Sequence, residues 1–163
     1  MMVILTENPE EIATLLTHED VFNDVINDEC RTLDYAQTVK ATQELLPTSL
    51  YFKVLSSTNK IVGLVSFHDD ENEMALNSHC AFLKEFRGRF AMRAINKALG
   101  LVFQYTQYEK IWARFSSGKY HVLKLISRLG FKLDHLIEKD YPDQGVVYDT
   151  ICMTLIKKDY NNA

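Results

Sequence analysis

A strand, a long helix and a second strand follow one another between residues 74 and 115, and this succession constrains the fold most. Residues 74–83 alternate as a half-buried strand does, with one face formed by Ala75, Asn77, His79, Ala81 and Leu83. After a charged turn, apolar residues recur at the spacing of one helix face: Phe90, Ala91, Ala94, Ile95, Ala98, Leu99, Val102 and Phe103. Residues 110–115 are the next strand candidate. Strands joined through a helix in one sheet run parallel, so a crossover is predicted here.

The remaining segments predict antiparallel strands and further helices. Strands are predicted over residues 2–5, 50–56, 60–68, 131–138 and 146–156, and helices over 9–16, 20–27, 34–46 and 119–129. Polar turns are predicted at 57–60, 69–72 and 139–145. The predicted fold class is therefore α+β (mixed α/β), with a central, mostly antiparallel sheet of about seven strands, one parallel crossover and flanking helices.

Length and composition favour one domain over residues 1–163, with a core of its own. No apolar run approaches the roughly 20 residues of a membrane helix, and the acidic turn after four apolar residues is unlike a signal peptide. Cys30, Cys80 and Cys152 show no CxxC spacing, which favours free thiols and argues against a metal site. These features predict a cytoplasmic protein without a membrane partner.

A basic cluster opens the long helix in a chain whose formal net charge is −4. Its members are Lys84, Arg87, Arg89, Arg93 and Lys97, with Glu85 as the one acid among them. The first amides of a helix have no internal partners, so this turn predicts an anion site. A nucleic-acid interface is the weaker interpretation, because a chain with a pI near 5.7 repels a polyanion at long range.

The order of elements, with FRGRFAMRAINKAL opening the long helix and LISRLGF closing the next, resembles the GNAT (N-acetyltransferase) superfamily over about residues 50–156. A looser similarity is to GNAT-like proteins of tailed phages, some described as head-assembly proteins. The resemblance implies transfer of an acetyl group from acetyl-CoA to an amine of a small molecule or a protein. The alternative is a catalytically inactive protein with the GNAT fold, encoded by a phage, that serves as a binding or assembly factor.

The resemblance also implies where acetyl-CoA binds. The pantetheine would lie against the strand end at Phe82 and Leu83, and the pyrophosphate on Arg87, Gly88, Arg89, Phe90, Ala91 and Met92. In the family motif, Gln/Arg-x-x-Gly-x-Gly/Ala, Arg87 matches, but Phe90 and Met92 stand where small residues belong. Side chains there obstruct the approach of phosphate to the backbone, unless Phe90 packs as the first core residue of the helix.

His79 and Tyr120 are the predicted catalytic residues. His79 lies three residues before Phe82, where the family often places a base, and imidazole titrates near neutrality. The alternative for His79 is a half-buried strand histidine bonded to a neighbour. The tyrosine acid of the family falls at Ile126, so Tyr120 or a serine of residues 116–117 is the candidate acid.

The remaining predictions concern Asn77, two further histidines, the N-terminal acids and the final strand. Asn77, on the face of His79, could orient a substrate or a water, whereas His68 and His121 are predicted surface residues. Acidic side chains crowd residues 9–47: Glu10, Glu11, Glu19, Asp20, Asp24, Asp28, Glu29 and Asp34. They would attract a cationic amine acceptor, or are simply solvated. The final strand could pair across a homodimer.

Overall fold

The computed structural model of the protein describes residues 1–25, 34–70, 74–143 and 145–160, and the side chains of residues 23–25 are not described. Several sequence predictions therefore lie outside the described residues. They are the end of the second helix at residues 26–27, the thiol of Cys30, the acids Asp24, Asp28 and Glu29, and residues 71–72 and 144 of two turns.

Seven strands form one mixed sheet. They are β1 (Met2–Leu5), β2 (Ser49–Leu55), β3 (Ile61–Asp70), β4 (Ala75–Phe82), β5 (Lys110–Ser116), β6 (Lys132–Asp143) and β7 (Val146–Ile156). Their order across the sheet is β1-β2-β3-β4-β5-β7-β6. β4 and β5 are parallel, whereas β1–β2, β2–β3, β5–β7 and β6–β7 are antiparallel. The predicted fold class and the position of its parallel crossover are confirmed.

Five helices begin within one residue of the predicted positions, and the sixth, the short terminal one, is not predicted. They are α1 (Pro9–Leu16), α2 (Glu19–Val25), α3 (Tyr35–Leu45), α4 (Arg89–Tyr105), α5 (Tyr120–Arg128) and a short terminal α6 (Lys157–Tyr160). Two 3-10 turns, Leu46–Thr48 and Lys84–Phe86, precede β2 and α4. No helix in the described ranges combines the length and the apolarity needed to cross a bilayer.

The chain divides into two compact units. Unit 1 comprises Met1–His68 and His79–Leu99, and unit 2 comprises Asp69–Ser78 and Gly100–Ala163. A single domain over residues 1–163 stays a prediction.

In unit 1, local capping fixes the helices that flank the strands. The Asn8 side chain accepts hydrogen bonds from the amides of Glu10 and Glu11, and Pro9 supplies the preset φ of a first helical residue. Asp34 and Gln37 form a capping box at the start of α3. The buried apolar residues of this unit include Ile12, Val54, Val62, Phe67, Ala94 and Leu99.

In unit 2, β6 runs further than predicted. Residues 139–143 were expected to form a turn, but the strand resumes its pairing with β7 at Tyr141, opposite Tyr148, and continues to Asp143. The register shifts between Ile137 and Tyr141, and Lys139 adopts a positive φ of 48°. A bulge of this kind accommodates the polar residues without ending the strand. The amino-acid composition of the segment does not indicate such a bulge.

The prediction that burial alternates along β4 is wrong, although the strand is about half buried as predicted. Burial along β4 comes in blocks instead: Ala75, Leu76, Ala81 and Phe82 are buried, whereas His79 and Cys80 are exposed. The two ends of the strand are thus covered on both faces, as in strands of the interior of a sheet. By contrast, the predicted inward face of α4 is confirmed from Ala91 to Phe103, and only Phe90 is half-buried rather than buried.

Candidate active site

The turn between β4 and α4 is built around a glycine. Gly88 has a φ of +69°, in the left-handed region where side chains are strained, and open space surrounds the position of a Cβ. Its carbonyl oxygen accepts the first helical hydrogen bond, from the amide of Met92 at 3.0 Å. Residues 89–91 therefore begin the helix with amides that have no partner inside it, which favours binding of an anion.

The basic loop, residues 84–93, uses its first two cations to hold α2. The Lys84 amide donates to the Asp20 carboxylate at 3.1 Å, and the Lys84 ammonium lies 3.5 Å from the same carboxylate. The Arg87 guanidinium donates to the carbonyl oxygen of Asp20 and, through Nε, to that of Phe82 at 3.1 Å. The hydrogen bond from Lys84 lowers the pKa of Asp20, so this carboxylate is ionised at neutral pH. We call these contacts the Asp20 clasp.

Two of the predicted pantetheine contacts are already engaged within unit 1. The carbonyl of Phe82 accepts from Arg87, and the amide of Leu83 donates to the carbonyl of Val62 at 3.0 Å. Phe82 is also fixed by its ring, which lies where a Cβ on Gly63 would be only 2.3 Å away. The strand end is therefore rigid, and the binding of a ligand there stays a prediction.

The second half of the basic loop is open. Arg89 and Arg93 are exposed, and Arg93 Nε donates weakly to the Arg89 carbonyl at 3.4 Å. The Phe90 ring packs edge to face on Phe86, with ring centroids 5.1 Å apart. Phe90 is thus turned toward the preceding 3-10 turn and is only half-buried, so it is not a core residue of the helix. The obstruction of phosphate by its side chain stays a prediction.

His79 lies on β4 beside a second histidine, and we call His68 and His79 the histidine pair. Their rings meet edge to face with centroids 5.3 Å apart. His68 Nδ1 lies 2.7 Å from the Ser49 hydroxyl, and its Nε2 lies 3.1 Å from the Ser66 hydroxyl. Because a neutral imidazole has one donor and one acceptor nitrogen, two hydroxyls satisfy it completely.

Both members of the histidine pair favour the neutral form. Burial, together with the smaller repulsion from a protonated His79, lowers the pKa of His68 to about 4. The side chain of His79 contacts solvent, but the loss of hydration within the protein lowers its pKa as well. At neutral pH, His79 is thus a free base that can accept a proton.

The prediction that His68 is a surface residue is wrong, whereas His121 is exposed as expected. A signal for His68 was present in the hairpin. Ser66 lies two residues before His68 on the same face, and Ser49 is its register partner across β2 and β3. The register between β2 and β3 shifts between Val54 and Leu55, so the pairing of Ser49 with His68 depends on that irregularity as well as on the turn at 57–60.

Cys80, next to His79, is a thiol rather than a thiolate. The residue is exposed, but the loss of hydration that its sulfur suffers within the protein raises the pKa of the thiol to about 11. Cys152 is buried, and both cysteines are free, as predicted. Neither therefore offers a thiolate nucleophile at neutral pH.

In unit 2, Tyr120 begins α5 with an exposed side chain. The Lys124 ammonium lies 4.7 Å from the centroid of its ring. Ser116 is buried, and its hydroxyl accepts from the amide of Gly118 at 3.2 Å, so it shapes the turn before α5. Ser117 is exposed. Tyr120 and His79 belong to different units, and the role of Tyr120 as an acid stays a prediction.

Three of the N-terminal acids have structural partners. The Glu11 carboxylate binds the Lys53 ammonium at 2.8 Å, Asp20 belongs to the Asp20 clasp, and Asp34 caps α3. Glu10 and Glu19 are exposed in the first turns of α1 and α2, where a negative charge complements the helix dipole. Within the described ranges, no group of three or more histidine, cysteine or acidic residues is arranged to hold a metal ion.

No protein-family model and no curated protein sequence matches this chain. Solved structures do. A chimera of the spermidine N-acetyltransferase SpeG from Vibrio cholerae and hSSAT superposes with a TM-score of 0.84 at 17% identity, covering 99% of this chain and 98% of that one. The Vibrio cholerae spermidine N-acetyltransferase in complex with CoA and spermine gives a TM-score of 0.82 at 16% identity, with the same coverage.

At such identities, the likeness concerns the fold. The chain is folded like the spermidine N-acetyltransferases over almost its whole length, which confirms the GNAT-like architecture expected from the sequence. The looser similarity to phage proteins stays a prediction.

Proposed function

We propose that this protein is an acetyl-CoA-dependent N-acetyltransferase that acetylates an amine-bearing small molecule. The observation that carries the proposal is the full-length likeness to spermidine N-acetyltransferases, one of them solved with CoA and spermine. The open arginines of the basic loop and the neutral His79 supply the two chemical requirements, a site for phosphates and a base.

His79 is the proposed general base. An amine attacks only after it loses a proton, and His79 accepts that proton directly or through a water. Acetyl-CoA supplies the acetyl thioester, whose carbonyl carbon gains the new C–N bond as the C–S bond breaks. Tyr120 is the proposed donor of a proton to the departing sulfur.

The first turn of α4 is the proposed phosphate site. The open space beside Gly88 and the unpaired amides of residues 89–91 fit a polyanion. Arg89 and Arg93 are the side chains proposed to bind it, since charge-assisted hydrogen bonds from arginine suit phosphate oxygens. We assign Arg87 the different role of holding the loop through the Asp20 clasp.

Isothermal titration with acetyl-CoA and with CoA tests the cofactor, and release of free thiol in the presence of spermidine, spermine or monoamines tests the reaction. Micromolar binding, roughly −8 kcal/mol, and amine-dependent thiol release are expected. No binding of either compound would contradict the proposal. The inactive binding or assembly protein would then be the surviving prediction, and the search would turn to protein partners.

A further inference from the structure

Two buried polar atoms in unit 2 have no hydrogen-bond partner among the described residues. They are the Asn77 side-chain oxygen, Oδ1, and the indole nitrogen of Trp112, Nε1. The Trp112 side chain is only 5% exposed. Buried polar atoms are nearly always satisfied in folded proteins, because an unpaired one loses its hydration without compensation. Two of them in one small region therefore indicate a partner from outside the chain, either a water or a group of a ligand.

The two atoms belong to facing residues. Asn77 and Trp112 are register partners on the parallel strands β4 and β5, the last of three such pairs. Neighbouring strands lie about 4.8 Å apart, and facing residues project to the same side of the sheet. The Ser78 hydroxyl donates to the Trp112 carbonyl at 3.0 Å and fixes the backbone next to this pair.

The chemistry of the two atoms restricts what can lie between them. An indole N–H only donates, and a carbonyl oxygen only accepts. One group that pairs with both must therefore accept from Trp112 and donate to Asn77. Water, a hydroxyl and an amide can do this, whereas an ammonium has no acceptor and a phosphate or carboxylate has no donor.

The cation next to the indole also disfavours an ammonium at this position. The Arg114 guanidinium lies over the Trp112 ring, with its central carbon 3.7 Å from the ring centroid. A second cation at the edge of this ring would be repelled by the first. The pair therefore discriminates against a protonated amine on grounds of charge as well as of hydrogen bonding.

We propose that Asn77 and Trp112 form a binding site for one neutral group that both donates and accepts, held by water in the free protein and taken over by an amide or hydroxyl of a ligand. The site does not depend on the proposed acetyltransferase function. It would select the neutral part of a ligand, whatever reaction that ligand undergoes.

The test uses the fact that Trp112 is the only tryptophan. In the ¹⁵N-labelled protein it gives a single indole N–H signal, so each change at this signal is assigned without ambiguity. We expect a nuclear Overhauser contact between this proton and a long-lived water in the wild type. The contact should be lost in Asn77→Leu and kept in Gln104→Leu, the same kind of change at an exposed position of α4 in the same unit. An indole proton without a water contact in the wild type would overturn the proposal, and this measurement needs no variant.

A matched pair of probes tests the ligand. N-methylacetamide is a neutral amide, and methylammonium is a cation of similar size. Increasing N-methylacetamide should shift the indole signal to saturation and weaken the water contact, and methylammonium at the same concentration should leave both unchanged. A response to neither probe, or an equal response to both, would show that this pair does not select a neutral amide or hydroxyl.

Discussion

The histidine pair and the basic loop both belong to unit 1, yet the protein fixes them in opposite ways. His68 has a hydroxyl partner on each ring nitrogen, so neutral hydrogen bonds fix the ring that packs against His79. The basic loop is held by charge instead, and only its first half is held. All four basic side chains are exposed, but Lys84 and Arg87 bind Asp20, whereas Arg93 donates only weakly to the carbonyl oxygen of Arg89.

In both regions the role of a side chain depends on its partners and not on its residue type. A histidine with two hydroxyl partners and a lowered pKa is a structural neighbour, and the exposed one next to it is free to react. Likewise, an arginine bonded to two carbonyl oxygens secures the chain, and one that faces solvent is available to a ligand.

The largest expected effect is on the rate of acetylation. Replacing the base in His79→Ala should lower kcat by roughly 10²- to 10⁴-fold, which is the usual contribution of a general base. The binding of acetyl-CoA, measured by calorimetry, should stay unchanged. His121→Ala, at an exposed histidine of α5, is the matched control and should retain full activity.

If the His79→Ala variant acetylates its substrate at the wild-type rate, His79 is not the general base. Both histidines of the pair would then have a structural role, and the distinction drawn here between His68 and His79 would not hold.

The next effect is on affinity for the cofactor. Arg89→Ala with Arg93→Ala should weaken acetyl-CoA binding by about tenfold for each arginine, since each exposed charge-assisted hydrogen bond contributes roughly 1.5 kcal/mol. Calorimetry at two salt concentrations measures it, and the wild type should show the steeper salt dependence. Lys97→Ala, further along α4 and also exposed, is the control. Equal losses in the control would mean that general charge rather than the loop attracts the ligand.

The fold could be predicted from the sequence because it follows from local periodicity. The apolar repeat of α4 and the strand–helix–strand order at 74–115 fix the crossover, and the structure keeps both. The course of β6 past residue 138 was missed because a bulge at Lys139 depends on its pairing with β7, not on composition.

The candidate site was less predictable, for the same reason. The sequence singles out His79 and the arginines but not the partners that distinguish them. Asp20 lies more than sixty residues from Arg87 in sequence, and a contact at this separation carries no periodic signal. The turn of the β2–β3 hairpin was correctly predicted, but the Ser49–His68 contact also depends on the register shift between Val54 and Leu55, which the sequence does not indicate.

A third prediction concerns the pH dependence of stability. Since the pKa of His68 is lowered to about 4 from the 6.5 of an unfolded chain, stability is full above about pH 6.5 and falls as the pH drops toward 4. Between about pH 7.5 and pH 5, the wild type should lose roughly 2 kcal/mol more free energy of unfolding than His68→Gln, which cannot titrate.

Urea unfolding at the two pH values measures this difference, and His121→Gln should behave as the wild type does. His79 contributes in the same direction in all three proteins, so the difference reports His68 together with its coupling to His79. A wild type and a His68→Gln variant with the same pH dependence would mean that His68 is charged in the folded protein at pH 5.

The smallest effect separates the two halves of the basic loop. Arg87→Ala removes hydrogen bonds to the carbonyl oxygens of Phe82 and Asp20, and should lower the free energy of unfolding by about 1.5 kcal/mol. Arg89→Ala should change it by less than about 0.5 kcal/mol, as is usual for an exposed side chain. Arg87→Lys should recover little, because an ammonium cannot reproduce the fork geometry of a guanidinium. If Arg87→Ala left stability intact and abolished acetyl-CoA binding, Arg87 would be a phosphate ligand, as the sequence motif implies, and the Asp20 clasp would have to open for the ligand to bind.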